Sequence, residues 1–264
     1  MATNSQDPND GPSLHALAGA TLLSSFTDFL TVAIHSLLYH RALYPQRTFL
    51  AARAYNLPVH QSRFPKLCAW INDAVAAVAD QLRSGCVRRI AVVLHAPATL
   101  SVLERWVFDV STFPDWEPAL QSLDELDEDE LPEEFSSELV DGLVNWANVN
   151  EALRGALRRI AYAAEGLPTP PEGSTFTLAV ELRDEAEPPI GHPQPWIPSH
   201  SNLQPPTRSS PNQGSALGGA TTIPVRSVRA DPLFFECWVE QAAPESVPAG
   251  TRSKNSQRTH HLKT

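Results

Sequence analysis

Residues Phe26 to Pro58, FTDFLTVAIHSLLYHRALYPQRTFLAARAYNLP, decide the fold, because an amphipathic helix runs through Tyr44-Pro45 directly into a strand ending at Asn56-Leu57-Pro58. Phe26, Leu30, Ala33 and Leu37 recur on one face of a 3.6-residue period, and Phe29, Ile34 and Leu38 widen the stripe. Ser25 followed by Asp28 has the form of a capping box, so the expected core helix runs from Ser25 to Leu43 and stops at Tyr44-Pro45.

Downstream, Thr48 to Tyr55 reads as a modest strand, and Pro65 sits in the first turn of a second helix with Leu67, Ile71, Val75, Val78 and Leu82 on one face. Gly85 closes that helix. Val87 to His95 is a continuous Val/Ile/Leu run, and Leu103 to Val110 alternates Trp106, Phe108 and Val110, so the two form a hairpin. A third helix carries the stripe Leu139, Leu143, Trp146, Leu153, Leu157, Ile160 and Ala164 and ends at Gly166 before the Pro168 to Pro171 turn. Phe176 to Leu182 alternates as a strand. From Glu187 to Gly219 the chain is rich in Pro, Ser, Gln, Asn and Gly, and two β-like runs follow, Thr221 to Val228 and Leu233 to Val239. The fold class is α+β. Residues 1–20 and 242–264 read as disordered ends around a single domain, 21–241.

The chain has 264 residues, is 42% hydrophobic and carries a formal charge of -10, which suits one substantial core. That charge is concentrated: Asp124, Glu125, Asp127, Glu128, Asp129, Glu130, Glu133 and Glu134 fall close together in a Pro-bearing insertion, 115–134, that reads as a solvated loop. An acidic balance argues against phosphate neutralisation as the chain's main business, so any link to DNA is expected to be indirect. Cys68, Cys86 and Cys237 lie far apart without a CxxC pair, which indicates neither a disulfide framework nor a zinc site and fits a reducing compartment. The N-terminus lacks the basic and apolar regions of a secretory signal, and no apolar run is expected to reach membrane-spanning length.

Enzyme chemistry finds no support. GxSxG, P-loop, GxGxxG and HExxH patterns are absent, the acidic run lacks the spacing and glycine of a calcium loop, and His35 and His40 are five apart, a poor ligand spacing. No cofactor is expected. Trp196 differs from these: in a Pro/Ser/Gln-rich crossing it has no stripe to explain it, and it reads equally as a pin holding the loop on the core or as a binding residue.

The order of Asp28-Phe29-Leu30, Val32-Ala33-Ile34-His35, Tyr44-Pro45, Tyr55-Asn56, Pro58-Val59, Cys68-Ala69-Trp70-Ile71, Val107-Phe108-Asp109, Gly173-Ser174-Thr175-Phe176-Thr177, Pro195-Trp196-Ile197 and Ile223-Pro224-Val225 resembles the HORMA-domain family in its polymerase zeta accessory branch. The resemblance covers about residues 24 to 241. It implies three helices on a mainly antiparallel sheet, with residues 187–241 forming a C-terminal safety belt and hairpin that close over a partner peptide. It also implies a nuclear adaptor, with the cytoplasm as a second compartment.

By the same resemblance, Trp70, which sits off the Leu67, Ile71, Val75 stripe, and Trp196 contact a proline-containing peptide of the polymerase zeta catalytic subunit. Val225, Glu236 and Trp238 face the C-terminal domain of the scaffold deoxycytidyl transferase, Val225 and Trp238 as an apolar patch. Arg154 aligns with an arginine of the face used for HORMA homo- or heterodimers, although an exposed helix arginine is more often simply solvated. The rival within the fold is a spindle-checkpoint HORMA protein that captures anaphase-regulator peptides; Tyr55 to Val59 and the Pro195-Trp196 pair favour the polymerase branch. The rival from another class is a hydrolase or transferase with scattered residues. The basic tail, Arg252, Lys254, Arg258, His260, His261 and Lys263, offers either a DNA contact or an import signal.

Overall fold

A computed structural model describes residues 12–113, 144–183, 196–204, 206, 208, 211 and 214–242. The expected acidic loop, the first part of the belt with Pro195, and the basic tail lie outside them.

Helix α1 (Pro12–His40) is longer at its start than the Ser25 signal predicts. Ala18 and Leu22 continue the four-residue spacing of Phe26 and Leu30, and all four are buried, so burial of this apolar face carries the helix past Ser25. The capping box does not form, because Ser25 lies inside the helix. Ala42 adopts a φ of 50°, which turns the chain out of the helix before Tyr44-Pro45. The part from Ala18 to His40 is apolar enough to cross a membrane, with a mean hydropathy of 1.3, against the sequence expectation. Its Phe26, Phe29, Leu30, Ala33 and Leu37 are fully buried in protein, which is the signature of a core helix.

β1 (Phe49–Ala54) and β2 (Leu57–Ser62) form an antiparallel ribbon on α1. Tyr55 and Asn56, at φ 48° and 56°, make a two-residue turn with both central residues left-handed, the geometry that matches strand twist. β2 is absent from the sequence reading because Pro58 disfavours a strand. It is accommodated here in a two-stranded ribbon, in which each strand has an outer edge with no strand partner among the described residues. α2 (Pro65–Arg83) matches its expected stripe, and Gly85 ends it at φ 67°.

β3 (Val87–His95), β4 (Val102–Asp109), β5 (Thr175–Leu182), β6 (Thr221–Ala230) and β7 (Leu233–Gln241) form one antiparallel sheet in the order β5-β3-β4-β7-β6. α3 (Trp146–Gly166) starts with the Asn145 side chain accepting from the Asn148 N–H at 3.0 Å, a side-chain cap for the first turn. α1 and α3 cover one face of the sheet. Phe26 meets Phe235 edge-on at 5.4 Å and Phe29 meets Phe108 at 6.2 Å, so truncating Phe29 to Ala would cost about 3–5 kcal/mol. The opposite face is also covered: Leu203 and Ala216 from the crossing segment pack on Ala91, Val93, Val102 and Val107. Burial on both faces explains why β3 reads as an unbroken apolar run. The resulting three-helix, antiparallel architecture is the one the resemblance implies.

Candidate functional site

β5 and β6 are the two edges of the sheet, so the chain that leaves β5 at Leu182 must pass the whole sheet width before it enters β6 at Thr221. β5 bonds only β3, and its outer edge has no strand partner among the described residues. The Trp70 ring lies 5.2 Å from that of Phe176 on β5, nearly perpendicular to it, and both rings are half-buried. Trp196 is half-buried against the same core, yet its indole Nε1 is buried with no hydrogen-bond partner among the described residues. A buried donor left unmade is costly, and an acceptor arriving from outside would relieve it. An unpaired strand edge lined by flat aromatics can add an extended peptide as a further strand.

The crossing segment is fastened where it returns. Glu240 on β7 accepts from the Arg105 Nη1 at 2.6 Å, from the Gly218 N–H at 2.9 Å and from the Trp238 indole at 2.9 Å. Arg105 and Glu240 are both buried, and Arg105 Nε has no partner among the described residues. Gly219 is held at φ 60°, where a Cβ would fall 2.3 Å from the Gln241 carbonyl oxygen. Ala216 donates its N–H to Asn202 at 2.8 Å and Ala220 donates to Gln241 at 2.7 Å.

The hairpin residues do not share one surface. Pro224, not Val225, stands opposite Trp238, and the register shifts between Pro224 and Arg226. Val225 is therefore turned to the helix side and is only 6% exposed, within the main core. Trp238 lies on the other face beside Ala91, Val93 and Val107, with the Arg89 guanidinium 5.5 Å from its ring centre. Glu236, two residues earlier on β7, is exposed on the Trp238 side. The single apolar patch expected of Val225 and Trp238 is not formed, because adjacent register positions point to opposite faces of a sheet.

Arg154 is on the outer side of α3, where its Nε and Nη2 donate to the Glu151 carboxylate at 2.7 and 2.6 Å. The hydrogen bonds and charge of Arg154 lower the Glu151 pKa, but with Glu151 exposed and Arg154 half-exposed the pair contributes little to stability. Tyr162, further along α3, is 71% exposed beside Arg159 at a groove of about 420 Å³ that also takes in Ile223 and Pro224 of β6. Sequence reading missed this ring, although its place off the Leu153, Leu157, Ile160 stripe marks it.

It also missed Arg41. This buried side chain grips Glu104 through Nε at 3.0 Å, while its Nη1 donates to the Ala164 and Leu167 carbonyls at 2.7 and 3.1 Å. The end of α1, strand β4 and the last turn of α3 are thereby tied together, with a cation on the helix carbonyls that lack intrahelical partners. Trp106 completes the network, donating its indole N–H to Glu104 at 3.0 Å. A charged Glu104-Arg105 pair inside an apolar strand was the signal, since such groups are buried only when paired.

Among the described residues no three His, Cys, Asp or Glu side chains are placed to hold a metal ion. Burial pushes the Cys237 thiol up to about 12, which keeps it protonated and unreactive.

Residues 23–218 match the HORMA domain family. The chain is 33% identical over 218 residues to the DNA polymerase zeta processivity subunit of Schizosaccharomyces pombe, covering 82% of this chain and 91% of that protein. It is 27% identical over 234 residues to the mitotic spindle assembly checkpoint protein MAD2B of Gallus gallus, covering 85% and 93%. Among solved structures, a chain of the mitotic checkpoint complex superposes with a TM-score of 0.59 at 19% identity, covering 84% of this chain and 99% of that one. HTP-2 of C. elegans, bound to the HIM-3 closure motif, gives 0.52 at 11% identity, covering 84% and 90%. Both structures share the fold.

Proposed function

Because the chain belongs to the HORMA-domain family, we propose that it is a non-catalytic adaptor subunit of translesion polymerase zeta. It captures a proline-containing peptide of the catalytic subunit under its belt and joins that subunit to the C-terminal domain of the scaffold deoxycytidyl transferase, in the nucleus, so that synthesis passes DNA lesions. The observation that carries the reading is the unpaired β5 edge with Trp70 and Phe176 beside it. The orphaned Trp196 indole supports it, as does similarity to a polymerase zeta subunit over most of both chains.

In this reading the peptide adds to β5, an aromatic ring lies flat on a proline, and the crossing segment covers the complex, so that affinity appears mainly as slow release. Trp238 and Glu236 face the scaffold domain, and Val225 acts from beneath by holding the hairpin on the helices. Arg154 serves a HORMA dimer, for which it must exchange or share its Glu151 contact. The checkpoint reading is kept as the alternative because the MAD2B relatives match over a similar length.

Calorimetry decides between them, using a proline-containing peptide of the catalytic subunit and an anaphase-regulator peptide as separate ligands. Trp70→Ala and Trp196→Ala should each weaken the first by at least about 2 kcal/mol while the fold survives. Unchanged affinity in both variants would remove them from the site, and tighter binding of the second peptide would favour the checkpoint role.

A further inference from the structure

Between Asp28 and Asp73 the chain contains no acidic residue, although the whole protein carries a net charge of -10. The same stretch holds Arg41, Arg47, Arg53, Arg63 and Lys66. Arg41 is buried on Glu104, but the other four are exposed, and none forms an ion pair among the described residues. The sheet behaves differently: Arg88, Arg89 and Arg105 each reach a carboxylate.

The fold gathers these four cations on one element pair. Arg47 lies in the short 3-10 turn before β1, and Arg63, after β2, is brought next to that turn by its N–H donating to the Thr48 carbonyl at 2.8 Å. Lys66 follows in the first turn of α2, while Arg53 stands opposite Pro58 near the far end of the ribbon. Six residues of strand separate the ends by about 20 Å, a reach of several phosphates. Between Arg63 and Lys66, Phe64 at the start of α2 is 55% exposed. A ring in solvent costs apolar exposure that a merely solvated basic face would not need.

We propose that the β1–β2 ribbon and the start of α2 form a binding surface for single-stranded nucleic acid. Arg47, Arg53, Arg63 and Lys66 neutralise phosphates, and Phe64 stacks on an unpaired base. A duplex would use the cations and leave the ring idle, and the carboxylates of an acidic peptide give it nothing to stack on. The surface belongs to the ribbon and the first turn of α2, not to the β5 edge or the β6–β7 hairpin, so it stands whether or not the peptide-capture reading does. The protein's acidic balance, which argues against DNA contact as its main business, makes this contact weak and strongly salt-dependent.

The test is fluorescence anisotropy of the full chain with a labelled oligodeoxythymidylate of about 20 nucleotides, starting near 50 mM salt, where four phosphate contacts predict a log–log salt slope of about -3. Phe64→Ala should weaken binding about tenfold for the single strand and leave a duplex of the same length nearly unaffected. The Arg63→Ala/Lys66→Ala double variant should weaken both by a similar factor and flatten the slope. Circular dichroism checks folding, and should that double variant unfold, Arg47→Ala/Arg53→Ala, on the exposed ribbon, takes its place with the same expectation. Absence of wild-type binding overturns the proposal. So does wild-type affinity in the ribbon variants with loss on removing residues 243–264, which would place the contact in the basic tail. Equal affinity for polyglutamate of matching charge overturns it as well, because the surface would then bind any acidic polymer.

Discussion

Glu240→Ala should loosen the return of the crossing segment more than any other single change on that face. The carboxylate is the acceptor for three donors from three places: Arg105 on β4, Trp238 on β7 and the Gly218 N–H at the end of the crossing. Removing it leaves the Arg105 guanidinium, whose side chain is 7% exposed, as an uncompensated buried charge whose Nε already lacks a partner among the described residues. Breaking a buried pair from one side costs about 3–5 kcal/mol, which for a chain of this size lowers the melting temperature by on the order of 10 °C. Denaturant unfolding measures the global effect, and amide exchange at Ala220, whose N–H bonds the Gln241 carbonyl at 2.7 Å, reads the local one. The companion variant Arg105→Met/Glu240→Leu removes both charges and should be less destabilised than Glu240→Ala. A loss below about 1 kcal/mol for Glu240→Ala, or a double variant no more stable than the single, would refute the view that a buried ion pair fastens the belt.

Arg41→Met strands Glu104 and the carbonyls of Ala164 and Leu167, and should cost about 3–5 kcal/mol by denaturant unfolding, against less than about 1 kcal/mol for an exposed change such as Arg83→Met. Gly219→Ala places a Cβ 2.3 Å from the Gln241 oxygen and should destabilise by at least about 2 kcal/mol, read as a lower unfolding midpoint. Burial lowers the pKa of His35 below 6.5, and burial with the neighbouring His60 charge outweighs Glu165 in lowering that of His40. The unfolded chain therefore binds more protons, so stability is complete above about pH 6.5 and falls as pH drops below it. The unfolding midpoint should decrease between about pH 7.5 and about pH 5.5, and His35→Asn, which keeps an acceptor for the Ser62 N–H, should flatten the decrease.

The helices and most strands were legible because their signal is local. An apolar stripe at Leu67, Ile71, Val75 and Val78, or the unbroken Ile90 to Leu94 run, states its period within a few residues, whatever packs against it. The same locality marked Trp70 as off-stripe and Trp196 as unexplained. It failed at the start of α1, where Ser25 and Asp28 fit a helix cap, but burial of Ala18, Leu22 and Leu23 extends the helix. It failed again at β2, where a proline that argues against a strand sits in a ribbon that, among the described residues, has no further strand to bond.

The sequence by itself determined the fold family, the two tryptophans worth testing, and the charge asymmetry between the acidic run and the acid-free stretch. Only the tertiary structure decided that Val225 and Trp238 face opposite ways, that Arg41 meets Glu104, and that Arg63 and Phe64 are brought beside the turn that holds Arg47. These are contacts between elements, several of them between residues far apart in the chain. They follow from how the elements pack and, in the hairpin, from strand register, where a shift of one residue turns a side chain to the other face without changing the local pattern that a sequence displays.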